Sequence, residues 1–176
     1  MLVGTALTFK VNQFSRRIKE MSQRQINDKQ AWQTVRNDYA KLFKLCQIAN
    51  KYLSNTILIS FTFNLYFILI QLFSSFIRTK NVVKKVYYLM SVFLVSIRIT
   101  CVCVHGGHLY EEWLTIGSHL NSIPSIAYNF EAERLTQYVL TCPLVLTGNH
   151  FFNITRSLIL KIAGAIVTYE LVLIQF

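Results

Sequence analysis

From Ala31 onward, apolar residues recur at spacings of three and four: Trp32, Val35, Tyr39, Leu42, Phe43 and Cys46. That is the period of one helical face. Arg36, Asp38, Lys41 and Lys44 occupy the other faces, so the pattern predicts an amphipathic helix. It runs without proline or glycine into Tyr52 to Ile77, a stretch with no charged residue. Thr56 to Phe73 is the strongest spanning signal in the chain, since crossing a bilayer takes about 20 predominantly apolar residues. Arg78, Lys80, Lys84 and Lys85 mark a short loop over 78–85. Val86 to Val104 forms a second apolar run, interrupted by Arg98. Gly106-Gly107 is expected to end that helix or break its regularity. Residues 107–150 are more polar and are expected outside the membrane. Ile126, Phe130, Glu133 or Arg134, and Gln137 suggest a second amphipathic helix from about Ser125 to Leu140, stopped by Pro143. Phe151 opens the last predicted span, in which Ala163 to Phe176 is almost continuously apolar. The expected fold class is an all-α membrane protein. Three transmembrane helices occupy 52–77, 86–106 and 151–176, with the end of a membrane helix plus a basic cytoplasmic helical region at 1–51 and a cytoplasmic helical region at 107–150.

Polar groups inside these spans are few. In the last one, successive residues turn by about 100°, so Lys161, Gly164, Thr168, Leu171 and Gln175 fall on one stripe. A polar stripe at membrane depth faces other helices or water. It serves either as a packing seam or as the wall of a water-filled path. Glu170 lies off the stripe and suits a pairing group between helices, with Arg98 or a neighbouring subunit as its partner. In the first span Asn64 and Gln71, seven apart, share a face, and Tyr66 lies elsewhere. Amides at that depth commonly bond to a neighbouring helix. Asn64, Tyr66 and Gln71 are also candidate contacts for a hydroxyl-rich ligand, which needs amide partners and an aromatic face. Arg98 needs an acid, a helix end or water.

Composition agrees with the membrane assignment: 53% of the 176 residues are hydrophobic and only 15% are charged. The net charge of +10 is uneven, with ten Lys or Arg against three acids in residues 1–51. A cytoplasmic flank accumulates Lys and Arg, so a nucleic-acid partner is not needed to explain it. Segments expected inside hold 12 Lys or Arg and the outer loop holds 4, which favours the N-terminal side in the cytoplasm and the C-terminus outside. Met1 to Val11 lacks the basic start and cleavage site of a signal peptide. It is too short to span and looks like the tail of a helix. The four cysteines give no disulfide framework. In Cys101-x-Cys103-x-His105-x-x-His108 the two thiols diverge by about 200° on a helix, so no metal site is expected, and no cofactor. No nucleophile-base pair or phosphate loop is visible, and an enzyme is not expected.

Thr168-Tyr169, five mostly apolar residues, then Gln175-Phe176 resembles the C-terminal signature of insect gustatory receptors. The version TYELVLIQF, preceded by Leu146-Thr147-Gly148 and Phe151-Phe152-x-x-Thr155-Arg156, is similar to the sugar-sensing branch. Weaker matches lie at Arg36-x-Asp38-Tyr39, Leu45-Cys46 and Asn64-Leu65-Tyr66-Phe67. The resemblance implies a multi-pass plasma-membrane receptor with seven helices, a sugar ligand and ligand-gated cation conduction. The present chain would be its C-terminal portion, with Met1 to Val11 ending the fourth helix. A truncated gene model and a short isoform are both open. The resemblance further implies a homo- or hetero-tetramer with other gustatory receptor subunits, with the last helix lining a central pore. Gln175 is then the gate, Leu171 and Thr168 line the same wall, and Phe176 couples the ligand pocket to the gate. It also offers an Arg matching Arg98. The His105-Gly106-Gly107-His108 stretch departs from the family pattern. The alternative is a truncated, non-conducting structural or regulatory subunit that assembles with full-length receptors.

Overall fold

A computed structural model of the chain describes residues 2–24, 28–76, 82–124 and 129–175. Five helices and one small hairpin make up the described fold: α1 (Leu2–Gln23), α2 (Lys29–Phe76), α3 (Val82–Asn121), α4 (Phe130–Thr141), β1 (Thr147–Gly148), β2 (Phe152–Asn153) and α5 (Ser157–Gln175). The chain divides into two compact units. One comprises Met1–Tyr52 and His105–Leu146, the other Leu53–Val104 and Thr147–Phe176.

The first unit is an amphipathic assembly. On α1, Leu7, Val11, Phe14, Ile18 and Met21 are buried at intervals of three and four, while Lys10, Arg16, Arg17 and Lys19 are exposed. The first half of α2 buries Trp32, Val35, Tyr39, Leu42 and Cys46, which is the face expected from their spacing. Leu109, Ile116 and Leu120 of α3 and Ala132, Leu135 and Val139 of α4 are buried in the same unit. Each large side chain so buried stabilises the unit by about 1.5–3 kcal/mol relative to exposure. Asn129 caps α4: its side-chain oxygen accepts from the Ala132 amide at 2.9 Å. Glu131 and Glu133 in the first turn suit the positive end of the helix dipole. This cap explains why α4 starts at Phe130. Residues 125–128, including Ile126 and the expected start at Ser125, lie outside the described residues. Pro143 does follow the helix end.

The second unit has a core of Phe61, Ile68, Leu72, Ile99 and Cys103, against which Val92, Val95, Phe152, Ile159, Ile162, Ile166 and Tyr169 pack. Two helical segments, Lys29–Ser74 and Val82–Asn121, are long and apolar enough to cross a membrane. Only 22% and 11% of the residues in their most apolar windows are buried, unlike the core helix of a soluble protein. α5 has 19 residues, about 28 Å of helix, close to the thickness of a hydrocarbon core.

Three expectations are corrected. α3 continues through Gly106-Gly107 to Asn121. Two helical glycines cost only about 2 kcal/mol in propensity, and burial of Leu109, Ile116 and Leu120 outweighs that. Helix α3 also begins at Val82, inside the segment expected as a loop; residues 77–81 lie outside the described residues. The last helix starts at Ser157, not Phe151, because Thr147–Gly148 pairs antiparallel with Phe152–Asn153 first. The turn between them holds Asn149 at φ 48° and His150 at φ 64°, the left-handed region that Asn and His tolerate better than most residues. The Phe151 amide closes it on the Gly148 carbonyl at 3.0 Å.

Candidate functional site

α5 mixes strong helix formers with β-branched Ile and Val after Ser157, and its two sides differ. Leu158, Ile159, Ile162, Ile166 and Tyr169 pack on the core of the second unit. The stripe of Lys161, Gly164, Thr168, Leu171 and Gln175 is exposed along its whole length. Leu171 keeps 58% of its surface accessible. The exposed side also carries Leu160, Val167 and Val172, so it is not wholly polar. The Thr168 hydroxyl donates to the Gly164 carbonyl at 2.9 Å, which leaves its oxygen lone pairs facing outward and its proton engaged. A Cβ built on Gly164 would meet nothing within 4 Å. Any close neighbour at that position must come from another chain or segment. Glu170 is half-buried and Arg98 exposed, and among the described residues they form no ion pair with each other. Phe176 lies outside the described residues.

The three candidate ligand contacts on α2 separate. Gln71 is 8% exposed and its side-chain oxygen has no hydrogen-bond partner. Asn64 is half-buried on the same side. Tyr66 points outward, 60% exposed. None of the three lines the cavity of about 110 Å³ that α2, α3 and α5 enclose near Ile68, Thr100, Ile162 and Ile166. A larger cavity of about 560 Å³ lies beside the hairpin, lined by His150, Asn153, Thr155, Ser157 and Lys161 among others.

Sequence spacing gave no warning of a set of polar contacts in the first unit. The segment 142–146 has no regular structure, yet Leu144, Val145 and Leu146 are buried. Two of its carbonyls are held by α2: Tyr39 donates its hydroxyl to the Cys142 carbonyl at 2.6 Å, and Asn50 donates its amide to the Val145 carbonyl at 2.8 Å. The Cys46 thiol reaches the same Val145 oxygen at 3.6 Å. Burial pushes the Tyr39 phenol well above its ordinary value, so it stays a proton donor. Nearby, Arg36 meets the buried Glu131 carboxylate at 3.2 Å and Arg134 meets it at 3.5 Å. Trp113 donates its indole N–H to the Val139 carbonyl at 2.9 Å. The signals for this set were the Arg36-x-Asp38-Tyr39 and Leu45-Cys46 resemblances. Cys101 is exposed while Cys103 is buried, so the two thiols do not converge.

Comparison with known proteins adds the following. Residues 1–176 match the trehalose receptor family. The chain is 35% identical over 145 residues to the gustatory receptor for sugar taste 64f of Drosophila melanogaster, covering 82% of this chain and 31% of that protein. It is 30% identical to the gustatory receptor for sugar taste 64a of the same species, covering 100% of this chain and 38% of that protein. The gustatory receptor 5a for trehalose is 32% identical, again over 100% of this chain, and 39% of its own length is covered. The chain thus spans well under half the length of these relatives. The solved structure of the insect olfactory receptor OR5 from Machilis hrabei in complex with eugenol superimposes with a TM-score of 0.69. Identity there is 19%, over 96% of this chain and 44% of that one, a likeness of fold.

Proposed function

The chain belongs to the trehalose receptor family, in the sugar-sensing branch of insect gustatory receptors, and from that membership we propose that it is the C-terminal part of a sugar-gated cation channel subunit. The family is one of membrane chemoreceptors and not of enzymes. In this proposal α2, α3 and α5 supply three membrane spans, the N-terminal side is cytoplasmic and the C-terminus is extracellular. Subunits assemble as a homo- or hetero-tetramer, so one α5 stripe becomes a ring. Gln175 forms the gate, with Leu171 and Thr168 below it on the same wall and Phe176 coupling the gate to the ligand pocket. Arg98 and Glu170 find their partners in other subunits or in the rest of the receptor. Asn64 and Gln71 remain the sugar-contact candidates on α2, and the unpartnered Gln71 oxygen is what supports the second of them.

The observation that carries the proposal is the two-sided α5. Its apolar face is committed to the subunit core, and its polar stripe is left outward. An amide ring presents partial charges to a hydrated cation without a full charge. Truncating Gln175 to alanine in a full-length receptor removes those dipoles and widens the constriction. Gln175→Ala is therefore expected to change basal leak or ion selectivity at unchanged surface expression. Ile174, turned about 100° from Gln175 along the helix, is expected on truncation to affect assembly more than permeation. Reversal potentials and leak currents, normalised to surface protein, decide the matter. Unaltered permeation in Gln175→Ala removes the pore assignment.

A further inference from the structure

α1 and the first half of α2 enclose an open cavity of about 660 Å³ within the first unit. Four cations stand on its walls: Lys10, Arg16 and Arg17 from α1 and Lys41 from α2. Two acids, Glu20 and Asp38, share the lining, so cations are in excess. Asp38 accepts from Arg17 at 2.9 Å and from Lys41 at 3.2 Å. It gathers two cationic heads at one point, and with Glu20 counted the four cations still exceed the two acids of the lining. Lys10 and Arg16 form no ion pair among the described residues.

The size is that of a small-molecule site, about 300–1,000 Å³. Three apolar side chains line it, Phe14, Leu42 and Leu45, and of these only Leu45 is exposed as an anchor. Helical peptide partners dock through rows of apolar anchors, which this cavity lacks. A compact polyanion needs none and gains from every cation. Along α2, Leu45 lies seven residues, about 10 Å, before Tyr52, where the charge-free stretch begins. Under the orientation proposed above, this end faces the inner leaflet, whose anionic lipids attract clustered Lys and Arg.

We propose that the α1–α2 cavity binds a compact anion carrying two or more phosphates, of the inositol phosphate class, presented by an inner-leaflet lipid. Only the lipid source rests on the proposed orientation; the cavity chemistry does not. A bound polyphosphate bridges cations of two helices and fixes α1 against α2.

The purified chain in phosphatidylcholine nanodiscs, with both faces open to solvent, tests this whichever way the receptor sits in a cell. Discs doped with phosphatidylinositol bisphosphate are expected to raise the thermal unfolding temperature saturably. Phosphatidylserine at matched total charge is expected to do so far less. Lys10→Gln with Arg16→Gln, both at exposed positions, should weaken the bisphosphate effect about twenty-five-fold, at about fivefold per cation near an anionic surface. Lys19→Gln with Arg24→Gln removes the same charge outside the lining and should change it less than about twofold. Equal stabilisation by phosphatidylserine, equal losses in the two double variants, or no saturable effect overturns the site. Soluble inositol trisphosphate binding as tightly as the lipid overturns the membrane source and keeps the polyphosphate chemistry. A wrong orientation shows itself separately, as a glycan on Asn153, and leaves the nanodisc result unchanged.

Discussion

Cys46 keeps 2% of its surface exposed, and its thiol is directed at the Val145 carbonyl. Burial pushes the thiol from 9.0 up to about 11, with the hydrogen bond to Val145 pulling weakly the other way. A pKa raised by folding means that the folded state holds its proton while the unfolded chain loses it. The stability contributed is therefore complete below about pH 9 and is lost as pH rises towards about 11. Maleimide at neutral pH should leave Cys46 unmodified in the folded protein and label it fully after denaturation. Rapid labelling of the native chain at pH 7.5 would contradict the burial. That Cys46 is a packing residue follows from its place in the three-four pattern. Its partner was illegible because Val145 lies 99 residues away in a segment with no period. The same limit applies to Gln71 and Asn64: their spacing of seven put them on one side, but nothing local says that the Gln71 oxygen ends without a partner.

Among the elements, the amphipathic half of α2 was plain from period alone, since a helix that packs on one side must repeat every three to four residues, and the body of α5 was plain from its apolar run, though not its start at Ser157. The β1–β2 hairpin was not. Two-residue strands are too short to alternate, and Phe151-Phe152 reads as the start of a greasy helix. What fixes the hairpin is close approach. A Cβ on Gly148 would lie 2.4 Å from the tip of the Phe152 ring, inside any allowed contact. That ring packs against Phe61 in a tilted arrangement, with centroids 5.1 Å apart. Gly148→Ala must displace it, at about 1–3 kcal/mol for overpacking of this kind. Thermal unfolding of the purified variant should show the loss, and Gly148→Ala combined with Phe152→Leu should recover part of it. A Gly148→Ala protein as stable as the parent would mean that the ring moves freely. The two glycines of α3 were over-read in the opposite sense, because a glycine breaks a helix only where packing does not hold the helix together.

For the molecule as a whole, its membrane character and its family were both legible, the first from hydropathy and the second from the run Leu146 to Phe176. Orientation rests on the Lys and Arg count, and Asn153-Ile154-Thr155 provides its check. The triplet is a formal glycosylation sequon, and Asn153 is exposed, so burial would not protect it. With the hairpin on the cytoplasmic side, Asn153 should carry no glycan in cells. A glycosidase-sensitive mass shift that disappears in Asn153→Gln would reverse the orientation proposed here. The division into two units was only half visible in advance. Charge separates residues 1–51 from the spans, but the return of residues 105–146 to the first unit depends on contacts far apart in sequence.

Segment 142–146 also bears on how the chain meets proteases. A stretch without helix or strand, next to a proline, is ordinarily where cleavage and tolerated insertions concentrate. Here Leu144, Val145 and Leu146 are buried and the Cys142 and Val145 carbonyls are held by Tyr39 and Asn50, and a protease cannot seat an extended segment that does not leave the fold. Limited digestion of the folded chain should therefore spare 142–146, and an epitope tag inserted there should abolish folding.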